Sequence, residues 1–103
     1  MKTNERMKPL SEAEIQEQLK TLDGWEFEDD RIGKSIDFAN FKEAMAFMVR
    51  VGFEAEAQGH HPEWYNVYKT VAIQLSTHDA DGKVTEKDIK LAKAIDEVLS
   101  SWA

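Results

Sequence analysis

A length of 103 residues, with 42% hydrophobic and 32% charged, is typical of one globular domain. The formal net charge of −7 argues against binding to nucleic acid or to an anionic membrane surface. The absence of cysteine excludes disulfides, thiolate metal sites and a cysteine nucleophile. No stretch predicts a signal peptide or a membrane span, so we expect a cytoplasmic protein that forms a single domain over residues 1–103, with residues 1–9 as a loose leader.

The first third of the chain predicts a helix followed by a hairpin. Ser11 and Glu14 have the spacing of a capping box, which starts a helix over residues 12–22, and Gly24 fits the C′ position that ends it. Residues 25–28 alternate between apolar and polar, as strands do, and a second strand follows the turn. The inward face of that second strand comprises Ile32, Ile36 and Phe38.

Two apolar stripes run along the long helix predicted over residues 41–58, which begins at a second capping box of Asn40 and Glu43. The first stripe comprises Phe41, Ala44, Met45, Met48, Val51 and Ala55, and the second comprises Ala46, Val49, Phe53 and Ala57. A helix that packs only on its own sheet needs one stripe. We therefore expect a homodimer or homotetramer, built through this helix, the edge of the sheet or both.

The last third predicts a second strand pair, over residues 64–68 and 69–76, and a final helix that starts at an acidic capping box of Thr85 and Asp88. The inward residues of the later strand are Val71, Ile73 and Leu75. The links within each pair are too short for parallel crossovers. The order α-β-β-α-β-β-α thus predicts an α+β single domain, with a four-stranded antiparallel sheet and helices packed on one face.

All three histidines lie at predicted element ends rather than within an apolar stripe. His60 and His61 follow the long helix, Pro62 restricts the backbone after them, and His78 follows the last strand. Because histidine moves protons well near neutral pH, a meeting of these two ends would create an acid–base site, although idle surface histidines are the other interpretation. A metal site that adds Glu63 to the histidines is disfavoured, since neighbouring residues in extended chain point apart, and we expect none.

The stretch EAQGHHPEW, residues 56–64, resembles the signature of the pterin-4a-carbinolamine dehydratase family: an acidic residue, three spacers, His-His-Pro-Glu and an aromatic residue. NVY at residues 66–68 and LSTH at residues 75–78 resemble the family's second block, and DIKLA at residues 88–92 resembles the opening of its last helix. The resemblance extends over about residues 9–100.

This resemblance implies a 4a-hydroxytetrahydrobiopterin dehydratase. Such a hydro-lyase removes water from the 4a-hydroxytetrahydropterin that an aromatic amino acid hydroxylase leaves behind, and the quinonoid dihydropterin formed is then recycled by a reductase. The departing hydroxyl needs a general acid, and a ring nitrogen needs a base. No metal or organic cofactor is implied, because the pterin itself is the substrate, and the family's members form dimers or tetramers.

Carried onto this sequence, the resemblance implies that His60, His61 and His78 are catalytic. His61 and His78 would flank the 4a-hydroxyl, and His60 would position the substrate or shuttle a proton. The implied substrate contacts are Gly59, His60, His61, Trp64, Ser76, Thr77, His78 and Asp79. Some relatives carry Asp or Asn at the place of Gly59, so this chain has only a main-chain contact to offer there.

Several nearby side chains have two interpretations. We expect Trp25 and Trp64 to lie in the core rather than to form a wall of the substrate site, since aromatic residues dominate small cores. The family also has a tryptophan at the position of Trp25. Glu56 either orients a histidine or is a solvated helix charge. Asp88 is interpreted as a helix cap. Because some animal members of the family also bind a homeodomain transcription factor, the alternative function is a protein-binding coactivator module.

Overall fold

Four strands form one antiparallel sheet, and helices cover a single face of it. The computed structural model describes residues 8–102, so most of the predicted leader lies outside the described residues. In chain order the elements are α1 (Glu12–Leu19), β1 (Glu26–Glu28), β2 (Arg31–Asp37), α2 (Phe41–Gln58), β3 (Glu63–Val67), β4 (Thr70–Leu75), a 3-10 turn (His78–Ala80) and α3 (Glu86–Ser100). This order confirms the predicted α+β fold.

Short polar side chains start the helices. At α1, the Ser11 hydroxyl accepts from the Glu14 amide at 3.1 Å and the Glu14 carboxylate accepts from the Ser11 amide at 2.8 Å, so the predicted capping box is complete. At α2, Asn40 accepts from the Glu43 amide at 2.9 Å. The Glu43 carboxylate makes no return bond to Asn40 in the described part of the chain, so only half of that predicted box forms.

The end of α1 differs from the prediction. The helix ends at Leu19 rather than at Leu22, and the amides of Lys20, Thr21 and Leu22 bond to carbonyls three residues back at 2.9–3.3 Å. Such bonds tighten a last turn into 3-10 geometry. The prediction of Gly24 at the C′ position was therefore wrong: Gly24, with a φ of 80°, belongs to the turn before β1.

A two-residue turn joins β3 to β4, so β3 ends one residue before its predicted end and β4 begins one residue after its predicted start. Tyr68 and Lys69 form the turn, and Tyr68 has a φ of 52°. The side-chain amide of Asn66 donates to the carbonyls of Tyr68 and Thr70, each at 2.9 Å. Because this side chain holds both sides of the turn, the register of the hairpin is fixed locally.

β4 lies inside the sheet although it is the last strand of the chain. The strand order is β1-β2-β4-β3, and every neighbouring pair is antiparallel. α2 therefore connects two strands, β2 and β3, that are separated by β4. The predicted inward residues of β4 are all buried, namely Val71, Ile73 and Leu75. As β4 ends, residues 76–78 leave an inner strand of the sheet and lead directly into the candidate site.

The inner face of α2 supplies the middle of the core, through Ala44, Phe47, Val51 and Ala55. Phe47 belongs to neither predicted stripe, yet it is fully buried, and its ring centroid lies 4.8 Å from that of Phe38. Phe41 and Met45, which the prediction placed on the first stripe with Ala44, Val51 and Ala55, are exposed. At the helical period, positions 44, 47, 51 and 55 share one face of α2, whereas positions 41 and 45 are rotated to one side of that face.

The second predicted stripe lies on the outer face of α2. Val49 is 55% exposed and Phe53 is 73% exposed, so most of each side chain lies outside the core formed by the described residues. With Phe41 and Met45 they form what we call the α2 outer face. Among residues 8–102, no helix combines the length and the apolar content that crossing a membrane requires.

Asp96 of α3 holds the segment that leads into β1. One carboxylate oxygen accepts from the Trp25 indole at 2.9 Å and from the Lys34 ammonium at 3.0 Å, and the other accepts from the Asp23 amide at 3.0 Å. Trp25 is buried, as the core interpretation predicted. The Lys34 side chain is only 12% exposed, so its ion pair with Asp96 is largely shielded from water.

Replacing Asp96 by alanine leaves the buried indole N–H of Trp25 without its acceptor and removes the carboxylate partner of the Lys34 ammonium, which keeps only its bond to the Asp23 carbonyl. We expect Asp96→Ala to lower the free energy of unfolding by about 1–3 kcal/mol. Glu97→Ala, an exposed neighbour on the same helix, is the control and should change stability by less than about 0.5 kcal/mol. Urea denaturation compares the two variants, and equal stability would show that Asp96 does not hold this segment.

Candidate functional site

The end of α2 delivers the histidine pair in a fixed direction. Gly59 ends the helix in the left-handed conformation, with a φ of 66°, which glycine adopts without the penalty of a Cβ. The Gly59 amide bonds to the carbonyl of Glu56 at 3.1 Å, and the His60 amide bonds to that of Ala55 at 3.1 Å. These bonds use the last helical carbonyls, so the chain leaves α2 in one direction, with His60 pointing inward.

His60 is held by a buried carboxylate. Its Nε2 lies 2.6 Å from Oδ1 of Asp88, with the His60 side chain 10% exposed and that of Asp88 fully buried. Burying a carboxylate is costly unless its oxygens are satisfied. Asp88 meets this condition because its other oxygen accepts from the Thr77 hydroxyl at 2.8 Å and from the Thr85 amide at 2.9 Å.

The Asp88 carboxylate joins three parts of the fold. It stands in the first turn of α3, it bonds to His60 just after α2, and it bonds to Thr77 just after β4. Its bond to the Thr85 amide is also the return half of the predicted capping box, which forms. The segments that carry His60 and His78, which the sequence suggested would meet, are therefore linked through one side chain.

His61 and His78 have open surroundings. His61 is 65% exposed, and its Nε2 lies 2.9 Å from the carboxylate of Glu56, which is itself 80% exposed. Both interpretations of Glu56 therefore hold, because it is solvated and it also orients a histidine. His78 is exposed at the start of the 3-10 turn, followed by an exposed Asp79. These two rings are accessible to a substrate, whereas His60 is mostly enclosed.

The other predicted substrate contacts lie around the end of β4 and in β3. Ser76 is half-buried, and Thr77 is buried with its hydroxyl turned toward Asp88. Trp64 is half-buried in β3 and packs against the core. The structure thus brings His60, Thr77 and Asp88 into direct contact, and it leaves Trp64 shared between the core and the surface.

The interpretation of Asp88 as a helix cap was incomplete, because the same carboxylate also binds His60. A signal was present in the sequence: a capping box normally ends in Glu or Gln, and here it ends in the shorter Asp. A short side chain stays close to the helix start and directs its second oxygen inward. The sequence did not reveal what that oxygen would meet, since His60 is 28 residues away.

Within residues 8–102, no group of three or more His, Asp and Glu side chains is arranged to hold a metal ion. The acid and imidazole groups stand as separate pairs, His60 with Asp88 and His61 with Glu56. A neutral imidazole that donates one N–H to a carboxylate keeps its other nitrogen as a proton acceptor. The arrangement is therefore suited to proton transfer.

Comparison with known proteins identifies similar sequences along most of the chain. The family described as pterin 4 alpha carbinolamine dehydratase matches residues 8–98. A protein of Christiangramia forsetii assigned as a pterin-4-alpha-carbinolamine dehydratase is 57% identical over 95 residues, which are 92% of this chain and 97% of that protein. One of Opitutus terrae with the same assignment is 53% identical over 93 residues, which are 90% of this chain and 94% of that protein.

A solved structure from Brucella melitensis, described as a transcriptional coactivator/pterin dehydratase, shares the fold. It superimposes with a TM-score of 0.84 and 40% identity, and the match covers 88% of this chain and 98% of that one. Because the family match spans most of the chain and the relatives are similar along nearly their whole length, the chain belongs to the pterin-4a-carbinolamine dehydratase family.

Proposed function

We propose that the protein is a hydro-lyase that removes water from a 4a-hydroxytetrahydropterin and releases quinonoid dihydropterin. The observation that carries this proposal is the Asp88 carboxylate, which links His60 to the chain segment bearing His78 in a member of this family. The reaction asks for one proton to be delivered to the 4a-hydroxyl and another to be taken from a ring nitrogen. Imidazoles perform both steps near neutral pH.

The surroundings of the histidines support a division of labour. His61 and His78 are exposed and flank the 4a-hydroxyl in this proposal, one as general acid and the other as base. His60, held by Asp88, positions the substrate or relays a proton from a fixed point. Two accessible rings can exchange protons with water, and the ring held by Asp88 can keep the substrate in one orientation.

The pterin is proposed to lie over the end of β4 and the start of β3. Gly59 offers only main-chain groups, because it has no side chain. Ser76 and Asp79 lie beside the histidine-bearing segment, and Trp64 presents the exposed part of its ring. Because the reactive ring belongs to the substrate, the proposed reaction needs neither a metal nor an organic cofactor. We also propose that the protein acts in the cytoplasm, where it helps to recycle the pterin used by aromatic amino acid hydroxylases.

A protein-binding coactivator role is the second candidate, favoured by the description of the Brucella melitensis structure as a transcriptional coactivator/pterin dehydratase. Such a role needs only a surface. The satisfied hydrogen bonds around Asp88 serve His60, and a scaffold has no need of a buried carboxylate that orients an imidazole. Loss of dehydratase activity in histidine variants is the result that separates the two functions.

We also propose that copies of this chain associate through the α2 outer face, the edge of the sheet or both. Val49 and Phe53 expose most of their side chains on one side of α2. Burial of each large apolar side chain contributes about 1.5–3 kcal/mol. β3 is an edge strand with exposed Tyr65 and Val67, which offers a second contact surface of the kind that pairs with another strand.

His61→Ala and His78→Ala should each slow the dehydration by about 10²-fold or more, the usual contribution of a positioned acid or base. The decay of synthetic 4a-hydroxytetrahydropterin, followed with and without protein, measures this. Lys69→Ala, at an exposed turn away from the histidines, is the control and should retain full activity. If the double histidine variant is as fast as the unmodified protein, the assignment of the site is wrong.

Purified protein should contain no stoichiometric zinc or iron, and treatment with a chelator should leave the dehydration rate unchanged. The reason is that the proposed proton transfers use imidazoles alone and the substrate carries its own reactive ring. Elemental analysis and the rate after dialysis against chelator provide the two measurements. Stoichiometric metal whose removal abolishes activity would replace the proposal with a metalloenzyme.

Phe53→Asp should disrupt assembly and lower the melting temperature together, because it places a charge in the proposed apolar contact. Sedimentation equilibrium at micromolar concentration measures the mass before and after the change. Gln16→Asp adds the same charge on the exposed side of α1 and should leave assembly intact. A single species near 11.8 kDa for the unmodified chain would rule out association.

A further inference from the structure

Two buried hydroxyl groups stand behind the Asp88 carboxylate, and the chemistry proposed so far does not use them. The oxygens of Thr77 and Thr85 lie 2.7 Å apart, and Thr77 lies 2.8 Å from Oδ2 of Asp88. Thr77 is 3% exposed, and Thr85 and Asp88 are fully buried. Water therefore has little access to these three side chains, and their hydrogen-bond donors and acceptors must satisfy one another.

The hydrogen bonds that join Thr85, Thr77 and Asp88 can run in only one direction. A hydroxyl has a single proton, and an ionised carboxylate accepts but does not donate. The Thr77 proton is used on Asp88, so the Thr85 hydroxyl must donate to Thr77. The Thr85 oxygen in turn accepts from the Lys87 amide at 3.2 Å. The donors thus lead from the first turn of α3 to the carboxylate.

This direction determines which nitrogen of His60 carries a proton. Oδ2 of Asp88 accepts from the Thr77 hydroxyl and from the Thr85 amide, and Oδ1 lies 2.6 Å from Nε2 of His60; an ionised carboxylate has no proton to give to that contact. Nε2 of His60 must then be protonated. In neutral imidazole the other nitrogen, Nδ1, is bare and is a proton acceptor.

Thr77 has no polar group left for a substrate. Its amide donates to the Lys83 carbonyl at 2.8 Å, and its carbonyl accepts from the amides of Ala80 and Gly82, each at 3.0 Å. Its hydroxyl is shared between Thr85 and Asp88. Whatever Thr77 contributes to turnover must therefore pass through Asp88, and not through direct contact with the pterin.

We infer that the Thr77 hydroxyl, supported by that of Thr85, is a positioning group that fixes the Asp88 carboxylate and thereby keeps Nδ1 of His60 as the proton-accepting nitrogen. The effect on turnover rests on the proposed dehydratase function. The effect on the His60 ring does not, because it follows from the hydrogen bonds of the resting protein. Thr77 thus acts on His60 through the carboxylate between them, with no atom of its own facing the reaction.

The first test is nuclear magnetic resonance of the unmodified protein labelled with nitrogen-15 in histidine. At a pH where the imidazoles are neutral, long-range proton–nitrogen spectra distinguish a protonated from a bare imidazole nitrogen. The signal that is lost in His60→Gln belongs to His60. We expect His60 to carry its proton on Nε2. A proton on Nδ1 overturns the inference whether or not the protein proves to be a dehydratase.

Thr77→Val removes the hydroxyl at nearly constant volume, and Thr77→Ser restores it. We expect Thr77→Val to give a mixture of the two His60 ring forms and to lower kcat about 10-fold, the loss that corresponds to one hydrogen bond, with KM within about 2-fold. Thr77→Ser should return both readouts to the unmodified values. Thr70→Val, at the start of the strand that precedes Thr77, is the matched control and should change neither.

A direct contact between Thr77 and the pterin would raise KM instead, and that result contradicts the inference. The double variant decides the route: in the His60→Gln background, Thr77→Val should have no further effect on kcat, because the positioned ring is already absent. An undiminished 10-fold loss in that background shows that Thr77 acts elsewhere. If Thr77→Val fails to fold, the ring form of His60 in the unmodified protein remains the deciding measurement.

Discussion

The Asp88 carboxylate is the constraint on which this structure depends. It is fully buried, and each of its oxygens is occupied: one by His60, the other by the Thr77 hydroxyl and the Thr85 amide. A buried charge is tolerated when it has a full set of donors and becomes costly when one is lost. The start of α3, the end of β4 and the segment after α2 are therefore held in one arrangement, and that arrangement presents the histidines.

The three histidines differ in how firmly they are held. His60 is enclosed and bonded at 2.6 Å to a carboxylate that cannot move, whereas His61 has only the solvated Glu56 as partner. Exposed pairs of this kind contribute little to stability, so Glu56 holds His61 less firmly than Asp88 holds His60. The candidate site therefore contains one enclosed imidazole and two exposed ones.

α2 serves two surfaces at once. Its inner residues fill the core, with Phe47 against Phe38 and Trp102, and its C-terminal turn at Gly59 releases the histidine pair toward Asp88. Its outer face exposes Val49 and Phe53. The same helix thus carries both the exposed apolar face and the turn that directs His60.

Much of this protein was determined by the sequence alone, because the signals concerned are local. Ser11 with Glu14 and Thr85 with Asp88 mark helix starts within three residues, and the alternation of Val71, Ile73 and Leu75 marks a half-buried strand. The histidines at element ends, and their match to the family's motif, located the candidate site. Local hydrogen-bond spacing and side-chain period carry that information without reference to the rest of the chain.

Only the tertiary structure decided the remaining features, since each depends on residues far apart in sequence. The placement of β4 between β2 and β3 arises from pairing across the sheet. The burial of Phe47 depends on rings contributed by Phe38 and Trp102. A capping motif specifies one oxygen of Asp88 and leaves the other undetermined. That second oxygen acquired its role only when folding brought His60 within hydrogen-bonding distance.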